Sequence, residues 1–455
     1  MGKEGFDNSP AVFDDVERDE DCGVFDLPKI ETGQETDGLD ESTLSFEEVV
    51  EEMEQLEDET TDQQELDYEK SPVDRLVKMI LTDALKRDAS SILVEGRQND
   101  FVVRYRLDGV LYEIMRPPLR FKEAILARIK ILAGIDLLRK KMPQRGTVDY
   151  SARRRFQAKL AVTIIPTTYG ENAVLQIHKV PNNYLQRKWQ LPDNQVRQLQ
   201  EVVEKKNGLI LVVGSSNEER QRLLGNIATF ISSPNLSIYS FCNQPLVFPI
   251  PGVNEILIKP EMDFGLTKAV KDVADQDSDA VISFVTPWQK EEMTALLETA
   301  LSGKLVVAPF PTDSAAATLG RLVGLGISPL LISSALTLIC TSRTVRQLCD
   351  HCKIQENQSL DELIKSGCSP EQAQQPQPQK GLGCGFCFGL GYHGRLRFYE
   401  FFSVFEEIKQ AILEGENSAW ITELALKQGL YSLRQAGLAK VSQQLTTLEE
   451  ILRVT

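Results

Sequence analysis

Four cysteines form two C-x-x-C pairs in the last quarter of the chain. Cys349 and Cys352 make the first pair, and Cys384 and Cys387 make the second, about thirty residues later. Four thiolates at this spacing suit one tetrahedral Zn²⁺, and a site closed by four protein ligands is structural. The sequence therefore predicts a structural zinc site, and four free thiols are the simpler alternative.

The other cysteines and one nearby histidine are predicted not to bind this metal. Cys22 lies in an acidic segment and Cys368 in a polar one, whereas Cys242 and Cys340 lie in apolar runs. His351 lies inside the first pair, but four thiolates already complete a tetrahedral shell. We expect His351 to be exposed or to lie outside the shell of ligands.

The stretch from Gly208 to Leu224 has the outline of a phosphate-binding loop between a strand and a helix. Residues 208–213 are apolar without alternation, which indicates a central parallel strand. A helix is predicted from residue 218, with Asn217 as its N-cap. Taken alone, this pattern also fits any strand–turn–helix of an α/β protein.

Most of the chemistry of a phosphate-binding loop is missing from this stretch. On the template G-x-x-x-x-G-K-[ST], Gly214 fills the first glycine position and Glu219 replaces the second glycine. Arg220 replaces the lysine, and Gln221 replaces the Ser/Thr whose hydroxyl binds Mg²⁺. Carboxylates repel a polyphosphate where backbone N–H groups should attract it. Gly214, Arg220 and Gln221 are thus predicted to form a degenerate nucleotide site.

Composition places the chain among ordinary soluble proteins. Its 455 residues are 42% hydrophobic and carry a net charge of -16. No apolar run approaches the roughly 18 residues of a membrane span, and no apolar signal segment is present, so we expect a cytoplasmic protein. Cytoplasmic thiols stay reduced, which favours metal binding over disulfides.

The acidity is concentrated at the start of the chain. Residues 1–70 hold roughly 26 acidic and about 4 basic side chains, which leaves the remainder at about +6. This segment is predicted to be a disordered, solubilising tail, and a docking motif that folds on a partner is the alternative. Nucleic acid is not an expected partner.

The remaining residues divide into two folded parts. Residues 71–180 are predicted to form a small α+β domain, and residues 181–207 a linker and a helix. Residues 208–455 are predicted to form an α/β domain whose strands alternate with helices, which favours a parallel sheet. The predicted strands are residues 208–213, 237–241, 280–284 and 304–310.

Several ordered motifs between residues 71 and 455 carry a family resemblance. The runs SPVDRLVKMILTDALKRDASSILVEG, RIKILAGIDLLRKKMPQRG, GLILVVG, ISPLLISSALTLICTSRTVRQLC and GYHGRLRFYEFF resemble the type II secretion and type IV pilus assembly ATPases. The resemblance implies a PAS-like α+β domain followed by a RecA-like, P-loop NTPase-type domain with a zinc-knuckle subdomain at residues 345–400. It also implies a homo- or hetero-hexamer with a related ATPase, peripheral at the inner face of the cell membrane, in contact with an inner-membrane platform protein.

The chain departs from the family pattern at the groups that handle nucleotide. Residues 243–247 read N-Q-P-L-V where the family has an acidic E-D-P-V-E box. Residues 283–288 read S-F-V-T-P-W where a Walker B segment ends in G-E-I-R-D, and Val285 stands at the glutamate. Residues 309–313 read P-F-P-T-D where the family has a T-L-H-T-N box. Valine and proline neither hold a metal nor move a proton.

The sequence therefore predicts a catalytically inactive, structural or regulatory subunit of an assembly motor. Zn²⁺ is the expected cofactor, and binding of ATP with Mg²⁺ stays open. One alternative is an active ATP-hydrolysing motor that uses non-standard residues. A second alternative is a docking or sensing module that acts through the acidic tail.

Overall fold

A computed structural model describes most of the chain beyond the acidic segment. The described residues are 72–107, 109–152, 156–179, 189, 191–246, 249–355, 379–387 and 389–455. The predicted tail, Cys22 and Cys368 lie outside these residues.

The first part of the structure is an antiparallel sheet covered by two helices. Its strands are β1 (Ser91–Gly96), β2 (Phe101–Leu107), β3 (Val110–Met115), β4 (Gln144–Ala152), β5 (Phe156–Thr167) and β6 (Gly170–Lys179), in the order β3-β2-β1-β6-β5-β4. Helices α1 (Pro72–Lys86) and α2 (Lys122–Leu132) bury their apolar faces against it. Burial of residues such as Leu76, Ile125 and Tyr105 gives this part its own hydrophobic core.

The second part is organised by a mainly parallel sheet of seven strands. The strands that follow along the chain are β7 (Gly208–Gly214), β8 (Ile238–Cys242), β9 (Val253–Leu257), β10 (Ala280–Ser283), β11 (Leu305–Pro309), β12 (Leu336–Leu348), β13 (Lys353–Gln355), β14 (Gln379–Gly381) and β15 (Tyr392–Ser403). The order in the large sheet is β15-β12-β7-β11-β10-β8-β9, and β15 is its antiparallel edge strand. Strands β13 and β14 form a separate small ribbon.

Helices cover both faces of the large sheet. They are α3 (Asp193–Glu204), α4 (Asn217–Ile231), α5 (Leu266–Ala274), α6 (Lys290–Leu301), α7 (Ala315–Gly324), α8 (Pro329–Ala335), α9 (Glu406–Glu414), α10 (Ser418–Lys427), α11 (Leu433–Ser442) and α12 (Leu448–Val454). Single 3-10 turns occur at Leu119–Phe121, Pro260–Met262 and Gly385–Cys387. Helices α3 and α4 pack on one face, and α5 to α10 pack on the other. Within the described part of the chain, no helix is both long and apolar enough to span a bilayer.

The four predicted strands of the parallel sheet are all present, each within about two residues of its predicted ends. Every residue of β7 is buried, as its unbroken apolar run predicts. Strand β12 was not predicted, because α8 ends at Ala335 and β12 begins at Leu336 with no glycine or proline between them.

Glu450 fastens the C-terminal helix α12 to strand β12. Its side chain is 2% exposed, and its carboxylate accepts hydrogen bonds from the backbone N–H of Arg346 (3.0 Å), the Arg346 guanidinium (2.8 Å) and the Arg453 guanidinium (3.0 Å). Burial alone would raise the pKa of Glu450, but the hydrogen bonds from Arg346 and Arg453 outweigh it and hold the pKa at about 2. The ordinary value is 4.5. The stabilisation is therefore complete above pH 4.5 and is lost as the pH falls towards 2.

We expect Glu450→Gln to lower the free energy of unfolding at pH 7 by about 1–3 kcal/mol, because buried charge-assisted hydrogen bonds are lost. The difference from the parent protein should shrink as the pH falls from 4.5 towards 2, where the parent carboxyl is itself protonated. Denaturant unfolding at several pH values measures this difference in the free energy of unfolding. Glu449→Gln, an exposed neighbour on the same helix, is the control and should change little. A pH-independent difference would contradict this role of the charge.

Candidate functional site

The four predicted cysteine ligands come together in one cluster. The sulfur atoms of Cys349, Cys352, Cys384 and Cys387 all lie within 4.8 Å of one another. Three of the distances are 3.9 Å (Cys349 to Cys384), 3.7 Å (Cys352 to Cys387) and 3.7 Å (Cys384 to Cys387). Zn–S bonds of about 2.3 Å in a tetrahedron place the sulfurs about 3.8 Å apart. The donor set and its spacing therefore fit Zn²⁺.

Backbone N–H groups favour the thiolate form of Cys387, whereas burial raises the pKa of Cys349 and of Cys352. The Cys387 sulfur accepts hydrogen bonds from the backbone N–H of Cys384 and of Gly391, both at 3.2 Å. Burial raises the pKa of Cys387, but these N–H groups outweigh it and lower the pKa to about 7. Gly381 lets the chain cross closely here, because a Cβ on Gly381 would lie 2.0 Å from the Gly391 carbonyl oxygen. The two pairs can therefore approach one another.

His351 does not belong to the sulfur cluster. It is exposed, and its ring lies 4.2 Å from the ring of Phe386, with His393 4.5 Å from Phe386. Cys242 and Cys340 are buried in β8 and β12, and burial raises the pKa of both thiols. The structure thus groups the four predicted ligands and places these other candidates elsewhere.

The loop after β7 is shorter than a phosphate-binding loop. Helix α4 begins at Asn217, and Ser216 is its N-cap, since the Ser216 hydroxyl accepts the backbone N–H of Glu219 at 3.1 Å. The prediction of Asn217 as the cap was wrong by one residue, because serine and asparagine are equally good caps. Only Ser215 and Ser216 separate strand from helix. The position of the second motif glycine therefore lies inside the helix.

The Glu219 carboxylate occupies the space above this loop. It accepts hydrogen bonds from the backbone N–H of Ser215 (3.1 Å) and from the Ser215 hydroxyl (2.7 Å). A Cβ built on Gly214 would lie 3.3 Å from the Glu219 Cβ and 3.4 Å from its Oε2. A carboxylate of the chain itself therefore fills the place where backbone N–H groups would meet a phosphate.

Arg220 and Gln221 both point into the protein. The Arg220 guanidinium is buried and donates to the Gly214 carbonyl at 2.8 Å, and burial lowers its pKa although Asp313 and Glu219 act against this. The Gln221 amide donates to the Phe284 carbonyl at 2.7 Å. Both side chains are thus hydrogen-bonded within the fold, and their predicted role in nucleotide binding stays a prediction.

The residues at the Walker B position make local structural contacts. The Ser283 hydroxyl donates to the Val285 carbonyl at 2.7 Å and closes the end of β10. Trp288 is 61% exposed, and its ring packs against the Arg321 guanidinium, which lies 5.8 Å from the ring centroid.

A cavity of about 180 Å³ lies beside the loop and was not foreseen from sequence. It is lined by Ser216, Glu218 and Glu219 near the start of α4 and by arginines from several elements: Arg222, Arg346, Arg395, Arg397 and Arg453. Arg395 and Arg397 alternate along β15, which places both on one face of the sheet. The alternation of Arg395 and Arg397 was the one local sequence feature that could have indicated this cavity, because the other arginines that line it are distant in sequence.

Comparison with known proteins shows to which family the chain belongs. The profile described as "Type II/IV secretion system protein" matches residues 67–453. The chain belongs to the type II/IV secretion system protein family. The predicted resemblance to the secretion and pilus assembly ATPases is confirmed.

Relatives within the type II/IV secretion family include proteins of both systems. The chain is 32% identical to the type IV pilus assembly ATPase PilB of Thermus thermophilus, over 86% of this chain and 44% of that protein. It is 31% identical to PilB of Myxococcus xanthus, over 84% of this chain and 68% of that protein. It is 29% identical to type II secretion system protein E of Klebsiella pneumoniae, over 85% of this chain and 76% of that protein. The chain thus spans less than half of the Thermus relative.

Solved structures share the fold of this family member. The ATPase DotB of Legionella pneumophila aligns with a TM-score of 0.58 at 14% identity, over 84% of this chain and 95% of that one. The pilus retraction motor PilT with bound ADP aligns with a TM-score of 0.54 at 17% identity, over 83% of this chain and 96% of that one. The predicted fold class, a RecA-like parallel sheet preceded by a smaller α+β part, is confirmed for the described residues.

We expect Cys384→Ser to lower the zinc content from about one ion per chain to nearly none and to lower the melting temperature, because metal binding contributes directly to folding. Elemental analysis and thermal unfolding of the purified protein measure both effects. Cys242→Ala, which removes a buried thiol outside the cluster, should keep the metal. Equal zinc content in both variants would refute the assignment of these ligands.

We expect Glu219→Ala to lower the free energy of unfolding by about 0.5–1.5 kcal/mol, because its two hydrogen bonds to Ser215 are lost. Glu218→Ala is a matched control, since both variants remove one negative charge from the first turn of α4. Glu218 forms only an exposed pair with Arg222, so its loss should change stability by less than about 0.5 kcal/mol. Denaturant unfolding compares the two, and equal effects would argue against the loop contact.

Proposed function

We propose that this member of the type II/IV secretion family is a non-catalytic, structural or regulatory subunit of an assembly motor. The observation that supports this most strongly is the Glu219 carboxylate, which is hydrogen-bonded to Ser215 where a nucleotide phosphate would have to lie. Phosphoryl transfer depends on positioning a polyanion and stabilising its charge. A loop that already holds an anion of its own supplies neither.

The groups that would hold Mg²⁺ and activate water are also missing. The motif hydroxyl is replaced by Gln221, whose amide is hydrogen-bonded to the Phe284 carbonyl. Val285 stands near the end of β10, where the family pattern has a glutamate, and packs against the core. No carboxylate or hydroxyl therefore replaces these two groups at the same positions.

The features that support assembly rather than catalysis are retained. The large sheet is complete in its core, and the four sulfur atoms keep the spacing of a tetrahedral site. We propose that Zn²⁺ bound by Cys349, Cys352, Cys384 and Cys387 fastens the β13–β14 ribbon to the adjoining sheet. This would preserve a surface for neighbouring subunits in a protein that no longer turns over ATP.

The proposed setting follows from the names of the relatives. They are described as a type IV pilus assembly ATPase and a type II secretion system protein E. We propose that the chain joins a hexamer with a related, active ATPase at the cytoplasmic face of the inner membrane, in contact with a platform protein.

We expect the purified protein to release no phosphate from Mg²⁺–ATP above a no-enzyme background, because the loop and both catalytic boxes lack their groups. Mixed with a catalytic relative from the same cell, it should elute with that relative in a larger complex. Phosphate release and size-exclusion chromatography with light scattering measure the two properties. Turnover that Arg220→Ala lowers, with no complex formed, would refute the proposal and favour an active motor with unusual residues.

A further inference from the structure

Apolar side chains are exposed at the end of helix α2 and on the loop that follows it. They form a surface that we call the loop patch, which consists of Ile131 (46% exposed), Leu137 (40%), Leu138 (90%) and Met142 (67%). The Gln144 amide closes the loop, because it donates to the Asp136 carbonyl at 3.1 Å and to the Arg139 carbonyl at 2.6 Å. The loop is therefore held in shape with its apolar side chains at the surface, and a group of exposed apolar side chains marks an interaction site.

Basic side chains surround the loop patch. Arg139 and Lys140 already have carboxylate partners, at 3.2 Å and 3.3 Å. Lys141 and Arg145 are also exposed, and neither forms an ion pair with another described residue. The charge that remains after the ion pairs are counted is therefore positive. A partner that is both apolar and acidic would complement this surface.

One segment of the acidic tail has this chemistry. Residues 46–57, which we call the 46–57 segment, contain six glutamates and no lysine or arginine. Their five apolar residues recur at the spacing of one helix face. These are Phe46, Val49, Val50, Met53 and Leu56. Ser45 and Glu48 fit a capping box at the start. The sequence therefore predicts a helix with one apolar and one acidic face, and a helix of about 12 residues needs a surface to be stable in water.

The tail joins the folded part of the chain close to the loop patch. Asp74, in the first turn of α1, is buried, and its carboxylate is ion-paired with Arg128 of α2 at 2.5 Å. Ile131 lies three residues after Arg128, about one helical turn further along α2. Residues 58–71 connect the 46–57 segment to α1, and a flexible chain of 14 residues spans roughly 20 Å. Such a tether gives an effective concentration on the order of millimolar.

We propose that the 46–57 segment docks on the loop patch of its own chain. Its apolar face would cover Leu138 and Met142, and its glutamates would face Lys141 and Arg145. Any other protein that binds this loop, a neighbouring subunit included, would first have to displace the segment. This goes beyond the proposed function, because the surface belongs to the α+β part and needs no nucleotide.

Hydrogen–deuterium exchange of the full-length protein tests the proposal, because docking slows the exchange of backbone amides in a folded segment. In the parent protein, the amides of residues 46–57 should exchange at least tenfold more slowly than those of an unfolded chain. Leu138→Glu should return them to the unfolded rate, because it places a carboxylate against the apolar face of the segment. Leu330→Glu, at another exposed leucine on α8, is the matched control and should leave them protected.

A second pair of substitutions tests the charge of the surface. Lys141→Glu combined with Arg145→Glu should speed the exchange of the 46–57 segment at least threefold, because like charges then face each other. These positions are exposed, so the melting temperature of the folded part should stay close to that of the parent. Met142→Glu, at another exposed position of the loop patch, replaces Leu138→Glu if that variant fails to fold.

Co-expression of two variants separates the chain's own segment from that of a second copy. Val49→Glu disrupts the segment and Leu138→Glu disrupts the loop patch, so neither chain can dock on itself. Renewed protection of the segment in the co-expressed mixture would show that one copy docks on another, and would overturn the proposal. A segment that exchanges at the unfolded rate in the parent protein would also overturn it, as would protection that Leu138→Glu and Leu330→Glu leave equally unchanged.

Discussion

The hydrogen bonds between the Glu219 carboxylate and Ser215 are the interaction on which the proposed function depends. A helix N-terminus that follows a parallel strand attracts anions, because its backbone N–H groups lack partners within the helix. Here the anion belongs to the chain. An outside phosphate would have to displace a tethered carboxylate that is present at high effective concentration, and would then meet its charge. Under the proposed function, catalysis is opposed at the first step, the binding of substrate.

The fold survives this change because packing and phosphate chemistry use different atoms. Strand β7 is buried along its whole length, and its neighbours β11 and β12 pair with it in parallel. None of that requires a lysine or a glycine in the loop. Arg220 and Gln221 even add hydrogen bonds to the Gly214 and Phe284 carbonyls. A RecA-like fold does not by itself require phosphate-binding chemistry in this loop.

Much of the fold, and the cysteine cluster, could be predicted from the sequence for identifiable reasons. The unbroken apolar runs at β7 and β11 and the two C-x-x-C pairs are local patterns, and the structure has the strands and the cluster where they were expected. Glu219 was recognised as a departure from the motif, but its hydrogen bonds to Ser215 depend on a helix start that propensity alone places one residue late. The arginine-lined cavity could not be predicted from local sequence patterns, because Arg222 and Arg453 are far apart in the sequence and only the fold brings them together.

The central claim is that the loop after β7 does not hold Mg²⁺–nucleotide, and the dependence of nucleotide affinity on Mg²⁺ tests it most directly. The measurement is a calorimetric titration of the parent protein with ATP, in excess Mg²⁺ and again in EDTA. We predict that Mg²⁺ leaves the affinity unchanged or weakens it, because Gln221 lacks the hydroxyl and Val285 lacks the carboxylate that the family pattern has at these positions. Binding that is at least tenfold tighter with Mg²⁺ would show that the loop opens and takes the nucleotide, and would contradict the claim.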